Sequence, residues 1–322
     1  MGFCLASCRL QTTEDNQPQA GSIQPSPSNN LLVTETYYVS TPCAMESYDF
    51  LCSAVIDLPD TVSAGVFAVS PTGEFWIVVI NDPRADSFSS MLIRIDQNGS
   101  TSQINLSVGV SDMVVSDSGI WIYDLKLLPD LPKVYHLDTD GSLIAEVEIP
   151  REFLLDSSNE YQETGIDRIR LGVNNEIILS GVTGTWQLFN WNGDYNPLHL
   201  DGLPCGPETC RVVNDIHQGD PHIASLFIGE KQVDFSTDKD YIFIDIIQIT
   251  GTGEIYVVAK EGSLGVVNSL VTLYKLDLSG SIQEYAHVLT SSIEAGPDNS
   301  FYNMVVNSLR GTRIFQVEFL QK

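Results

Sequence analysis

From Gly65 onward the apolar positions of this chain recur as paired short runs, and nowhere at a sustained helical spacing. In GVFAVSPTGEFWIVV, SDMVVSDSGIWIYD, IDRIRLGVNNEIILS, IDIIQITGTGEIYVVA and, more loosely, IEAGPDNSFYNMVV, an apolar run meets a glycine or asparagine turn and resumes as a second run rich in Ile, Val, Tyr and Trp. A run, a turn and a second run read as a β-hairpin, because glycine or asparagine supplies the backbone geometry that joins two antiparallel strands. A second turn follows in RIDQNGST, HLDTDGSL, FNWNGDYN and KLDLSGSI. It leads to a strand that closes on an apolar pair and proline, as in AEVEIP. Each unit therefore holds four strands.

The spacing of the units sets the architecture. The second-turn glycines Gly99, Gly141, Gly193 and Gly280 stand 42, 52 and 87 residues apart, so the last gap holds two units, one of them degenerate. The degenerate unit falls at RVVNDIHQGDPHIASLFIGEKQVDFS. First turns near Gly73, Gly119, Asn175, Gly219, Gly253 and Asn299 give six repeats, and a period of about 45 residues is that of a four-stranded blade. The predicted fold is all-β: a single β-propeller of six four-stranded blades, or seven if LLVTETYYVS is a strand rather than part of a tether.

The two ends of the chain bear on how the ring closes. After Asn299 the last unit has only SFYNMVV and TRIFQVEF, which leaves it without a fourth strand. YDFLCSAVIDLP, just ahead of the first full repeat, ends like the fourth strands and is expected to complete that blade, closing the ring and removing an exposed sheet edge. A two-domain α/β reading is excluded, since no long helical period separates the strands.

The first forty residues concern location. Leu5-Ala6-Ser7-Cys8 resembles the lipobox of bacterial lipoproteins, in which the cysteine is acylated after signal cleavage. Residues 1–8 then read as a truncated signal segment, 9–44 as a flexible polar linker too poor in apolar surface to fold, and 45–322 as the propeller. Met1-Gly2 also opens like an N-myristoylation site, but Ala6 stands where that pattern wants Ser or Thr. Setting Cys4 and Cys8 aside, the remaining cysteines fall into two local pairs, Cys43 with Cys52 and Cys205 with Cys210. Gly206 and Pro207 can fold the chain back between the second pair. Disulfides persist in oxidising compartments, so the expected location is extracytoplasmic, lipid-anchored to the cell envelope or else secreted.

Charge narrows the partners. With 42 acidic against 16 basic residues, a net of -26, the chain repels phosphate backbones, and nucleic acid is excluded. No apolar stretch is long enough to span a bilayer, so membrane contact is expected only through a lipid anchor. The charge also favours a soluble monomer.

In repeat length and in its G-E-I-Y-V type hairpins, Gly65 to Lys322 resembles the NHL, gluconolactonase-like and related six-bladed propellers. The resemblance implies fold alone, because such propellers host receptors, scaffolds and several kinds of enzyme. Gluconolactonase-like enzymes place a divalent metal in the channel, held by acidic and amide side chains from different blades. Here Asp112 in SDMVV, Asp167 in IDRIR and Asp245 in IDIIQ occupy nearly the same place before their first turns, with Asn214 and Asp215 comparable in the weak unit. Such carboxylates could hold calcium or another divalent cation; equally, each could accept backbone N–H bonds and fix a loop between blades. The first blade has Gly65 and Val66 where an acid is wanted. The D-x-[DN]-G turns, Asp96–Gly99 and Asp138–Gly141, read as hairpin turns rather than calcium loops, and Trp76, Trp121, Trp186, Phe75 and Tyr256 as packing rather than a cofactor cage.

Two functions of different class follow. The first is a non-enzymatic, envelope-tethered module that binds a protein or carbohydrate at one propeller face, with no cofactor. The second is a metal-dependent hydrolase, lactonase or lyase with a divalent cation in the central channel. No serine sits in a G-x-S-x-G setting, so no nucleophile and base can be assembled from the sequence.

Overall fold

A computed structural model describes residues 55–58, 64–80, 90–125, 130–154, 168–181, 184–214, 222–263, 270–307, 311–317 and 319–321. Cys8, Cys43, Cys52, Asp167, Asp215 and the LLVTETYYVS segment lie outside them.

The described strands form six antiparallel sheets, one per blade. Strand β1 (Ile56–Asp57) precedes the first blade. Blade 1 holds β2 (Ala64–Val69), β3 (Phe75–Ile80), β4 (Ser90–Ile95) and β5 (Thr101–Leu106); blade 2 holds β6 (Asp112–Ser116), β7 (Gly119–Asp124), β8 (Lys133–Leu137) and β9 (Leu143–Glu148). Blade 3 is β10 (Arg168–Leu171), β11 (Ile177–Gly181), β12 (Gly184–Phe189) and β13 (Tyr195–Leu200), and blade 4 is β14 (Leu203–Cys205), β15 (Glu208–Asn214), β16 (His222–Ile228) and β17 (Lys231–Thr237). Blade 5 comprises β18 (Tyr241–Ile249), β19 (Ile255–Gly262), β20 (Leu270–Leu276) and β21 (Ile282–Val288). Blade 6 comprises β22 (Ile293–Ala295), β23 (Phe301–Asn307) and β24 (Gly311–Gln316), and β25 (Leu320–Gln321) ends the chain.

The ring is a six-bladed β-propeller closed by its N-terminal strand, as the repeat count requires. β1 adds to β24 as the fourth strand of blade 6, with Ile56 opposite Ile314 and Asp57 opposite Arg313, and the Arg313 guanidinium donates to Asp57 at 3.0 Å. Val55, Ile56 and Leu58 are buried with Met304 and Ile314 and with Phe67 and Ile77 of blade 1, so the closing strand is also core. A second latch was not foreseen: β25 pairs with β21, and Phe319 packs edge-on against Tyr256 and Phe301, tying blade 6 back onto blade 5.

The repeated hairpin letters have a physical basis. In the G-E-F-W and G-E-I-Y turns, the aromatic residue on the second strand lies opposite a cation on the third: Trp76 faces Arg94 and Tyr256 faces Lys275. The glutamate of the same turn holds that cation, Glu74 to Arg94 at 2.6 Å and Glu254 to Lys275 at 2.8 Å. Blade 2 lacks the glutamate and stacks His136 flat on Trp121 instead. Trp76, Trp121, Phe75 and Tyr256 are all buried, as their strand positions predict, whereas Trp186 is half-buried on the third strand of its blade.

The second-turn glycines adopt the left-handed backbone that hairpin turns demand, and the turn acids are occupied locally: Asp96 accepts the N–H groups of Asn98 and Ser100. Gly119 is irreplaceable for a further reason. Its φ is +131°, and a Cβ there would come within 2.3 Å of the Leu137 carbonyl oxygen.

Blade 4 departs from the predicted register. Its first turn is at Gly206, not near Gly219, because Leu203–Cys205 is the blade's first strand. The Cys205–Cys210 disulfide therefore staples the β14–β15 hairpin, where Gly206 takes a positive φ. The loop it closes is short, so removing it by reduction or by replacing both cysteines with alanine is expected to cost about 2 kcal/mol. Urea denaturation with and without reductant checks this.

Apolar clusters bridge blades 6 and 1, 1 and 2, 2 and 3, 4 and 5, and 5 and 6. Between blades 3 and 4 no such cluster forms among the described residues. A cleft of about 760 Å³ lies there instead, lined by residues of β10–β13, β14, β15 and β18.

Candidate functional site in the central channel

The first strand of each blade faces the channel, and one strand carries its charge. In Arg168-Ile169-Arg170 the period of two turns both arginines to the channel side while Ile169 is buried among the blade 2 and 3 side chains. Arg168 Nε lies 3.2 Å from Asp245 Oδ2, and Arg170 Nη2 lies 2.6 Å from Asp245 Oδ1, so both carboxylate oxygens of Asp245 are engaged. Arg170 also donates Nε to Ser180 Oγ at 2.9 Å and Nη1 to the Ile247 carbonyl at 3.5 Å. Its guanidinium is thus held on every side, in keeping with its burial.

Two further carboxyl groups complete the cluster. Asp112 is buried at the start of β6 and accepts the Ile169 N–H at 2.9 Å, which links blades 2 and 3. Burial raises its pKa, against the pull of Arg168. Glu294, on β22, stands 3.7 Å from Arg168 Nη1. Glu294 has 22% of its side chain exposed to the channel cavity, and burial pushes its pKa up to about 8, with Arg168 opposing and Asp112 reinforcing the rise. At neutral pH Glu294 is mainly the uncharged acid.

This has a consequence for stability. Glu294 holds its proton more tightly when folded, so its contribution is complete below its ordinary value of 4.5 and is lost as pH rises towards about 8. Asp112 acts in the same direction. The expected result is a melting temperature that declines across this window, and a Glu294→Gln variant that flattens part of the decline. A pH series of thermal melts on both proteins measures it.

Arg168, Arg170 and Glu294 of the cluster line a cavity of about 460 Å³ together with Val114, Val115, Leu171, Ile246, Ile247 and Ile249. Its rim includes Asp298 and Asn299, two successive residues with φ of 57°, where other blades use a single glycine or asparagine. Such left-handed pairs are costly for residues with a Cβ and concentrate at functional positions.

Of the four predicted channel-mouth acids, Asp112 and Asp245 join this cluster, while Asp167 and Asp215 lie outside the described residues. Asn214 is not at the start of a first strand. It ends β15, and its side chain substitutes for a strand neighbour by donating to the Ile244 carbonyl and accepting the Ile244 N–H. Among the described residues no group of three or more His, Cys, Asp or Glu is arranged to hold a metal ion. Sequence reasoning missed Arg170, Glu294 and Gln248. Arg168 and Arg170 alternate in a channel-facing strand otherwise built of apolar residues, and that signal was readable.

No family model matches the chain, and no curated protein matches it. Similar solved structures include the β-propeller domain of the trilobed protease from Pyrococcus furiosus, at 8% identity and a TM-score of 0.45, covering 81% of this chain and 97% of that one. Virginiamycin B lyase from Staphylococcus aureus is similar at 13% identity and a TM-score of 0.35, over 80% of this chain and 95% of the lyase. Acylaminoacyl peptidase from Pyrococcus horikoshii is similar at 7% identity and a TM-score of 0.42, over 81% of this chain and 52% of the peptidase. The blade count and the closure stand on this chain's own strand pairing.

Proposed function

We propose that the protein is a non-enzymatic binding module, tethered at the cell envelope, that receives a protein or carbohydrate partner along the seam between blades 3 and 4. One observation carries the reading: two exposed hydrophobic side chains, Val213 and Phe243, line the cleft at that seam. Trp191, 70% exposed, with Tyr195 and Leu198, adds exposed apolar surface on the outer hairpin of blade 3, towards the end away from the cleft-lining Thr185 and Leu200. Exposed aromatic and aliphatic groups with arginine and histidine beside them, here Arg211 and His199, are the usual makings of a contact surface. The Cys205–Cys210 bridge supports an oxidising compartment. The alternative of a metal-dependent hydrolase, lactonase or lyase draws less support, since Asp245 already serves two guanidiniums and Asp112 a backbone N–H.

The test is a screen of the full chain against a glycan array and against envelope proteins, with lactone, ester and glycoside turnover measured in parallel. Binding that falls at least tenfold in a Val213→Ser/Phe243→Ser variant, stays unchanged in Ile144→Ser on blade 2, and comes without turnover agrees with the proposal. Turnover that disappears in Asp245→Asn contradicts it.

A further inference from the structure

With Glu294 ionised, the channel cluster is one cation short. Asp112 from β6, Asp245 from β18 and Glu294 from β22 face two guanidiniums, Arg168 and Arg170 from β10, and the cavity residues contributed by β2 and β14, Ala68, Val69, Leu203 and Pro204, bring no charge. Arg170 and Asp245 satisfy one another. Glu294 is left with Arg168 at 3.7 Å, beyond hydrogen-bonding distance, and makes no hydrogen bond among the described residues. A second group in the same cavity is also unserved: Gln248, set off by the β-bulge after Ile246, has its Oε1 enclosed with no hydrogen-bond partner among the described residues. Both unserved groups offer oxygen acceptors. Much of the remaining wall is aliphatic, with Ser70, Asp298 and Asn299 also lining it.

We propose that the channel cavity binds an organic ammonium ion, a primary amine on an apolar body, whose N–H groups donate to Glu294 and to Gln248 Oε1 while the body lies against Val114, Leu171 and Ile246–Ile249. An ammonium group carries three donors and one positive charge, which is what the two acceptors and the unbalanced cluster call for. A cavity of about 460 Å³ falls in the range of small-molecule sites, roughly 300–1,000 Å³. The net charge of -26 raises the local concentration of cations at the channel mouth. A hard divalent ion suits the place less well, because it needs six or more oxygens and has no use for the aliphatic wall. The cavity shares Arg168, Arg170, Leu203 and Ile246 with the seam between blades 3 and 4, but the groups that carry each assignment differ, Glu294 and Gln248 here and Val213 and Phe243 there, so either can fail alone.

Proton and ammonium compete for Glu294. Below about 8 the acid must lose its proton before it pairs with the ligand, while a primary amine keeps its charge to about pH 10. Affinity is therefore expected to rise about tenfold from pH 6 to pH 7 and to level off above pH 8.5. The neighbouring charges that enter this titration are Arg168, Arg170, Asp112 and Asp245.

The experiment titrates the full chain, by calorimetry and thermal shift, with hexylammonium and benzylammonium. Hexanol, benzyl alcohol, hexanoate and calcium or magnesium chloride serve as controls. The expected result is saturable binding of the ammonium ions with the pH course above, at least tenfold weaker and pH-independent in Glu294→Gln, and weaker by several-fold in Gln248→Leu. Equal binding of the alcohols, unchanged binding in Glu294→Gln, saturation by the divalent salts alone, or no binding by either ammonium ion overturns the proposal. Should Glu294→Gln not fold, the pH course of the unaltered chain and the Gln248→Leu variant decide it.

Discussion

Replacing Trp121 by alanine is expected to lower the stability of the propeller by about 3–5 kcal/mol, the cost of emptying a large aromatic site from a core. The indole is fully buried on β7, stacked on His136 at 3.8 Å with the rings nearly parallel, and tilted against Phe189 of blade 3 at 4.6 Å. It therefore packs within its own blade and glues two blades together. Removing it leaves a cavity that relaxed neighbours cannot fill, since β7 and β8 are fixed in register by the ladder from Ile120–Leu137 to Asp124–Lys133. The Trp121 indole N–H has no hydrogen-bond partner among the described residues, so Trp121→Phe, which keeps a ring and deletes an unserved donor, is expected to lose much less. Urea denaturation separates the cases. A loss below about 1 kcal/mol for Trp121→Ala would show that blades 2 and 3 do not meet through this side chain.

The second large effect is expected at the closure. Ile56→Asp puts a carboxylate into a fully buried position among Met304, Ile314 and Phe67, with no cation in that cluster among the described residues. An uncompensated buried charge costs several kcal/mol, so β1 is expected to leave β24 and free the edge of blade 6. Hydrogen exchange reads the change directly. Amides of β24 lose protection first, those of blades 2 and 3 later, and the melting temperature falls. Unchanged protection of β24 would contradict the assignment.

Much of this fold was written in the chain. Six turn signals, the missing fourth strand after Asn299 and the strand-like ending of YDFLCSAVIDLP together give six blades and an N-terminal closure, because turns and alternation are local properties of sequence. Blade 4 resisted for a physical reason. Its first strand has three residues, too few to show a period, and Leu203-Pro204 looks like the end of the preceding strand, where Pro197 already marks β13 as an edge. The second latch through Leu320–Gln321 was equally hidden, since two residues carry no pattern and their partner lies in another blade. At the channel, Asp112 and Asp245 were found by their shared place in the repeat. Their partners were not. Whether an aspartate meets a metal ion or an arginine depends on which blades face each other across the ring, and Arg168, Arg170, Asp245 and Glu294 come from three of them. The weak seam between blades 3 and 4 belongs to the same class, because a gap between blades leaves no mark in either.

One N-terminal strand closes the ring of six blades, and a designed crosslink between β1 and β24 tests that closure. Asp57 and Arg313 lie opposite each other across β1 and β24, so an Asp57→Cys/Arg313→Cys variant brings two thiols from the two ends of the propeller side by side. The account predicts near-complete disulfide formation under mild oxidation, seen as a faster-migrating band lost on reduction, together with a higher melting temperature. If the pair stays free in folded protein, or links only between molecules, the ring is closed some other way.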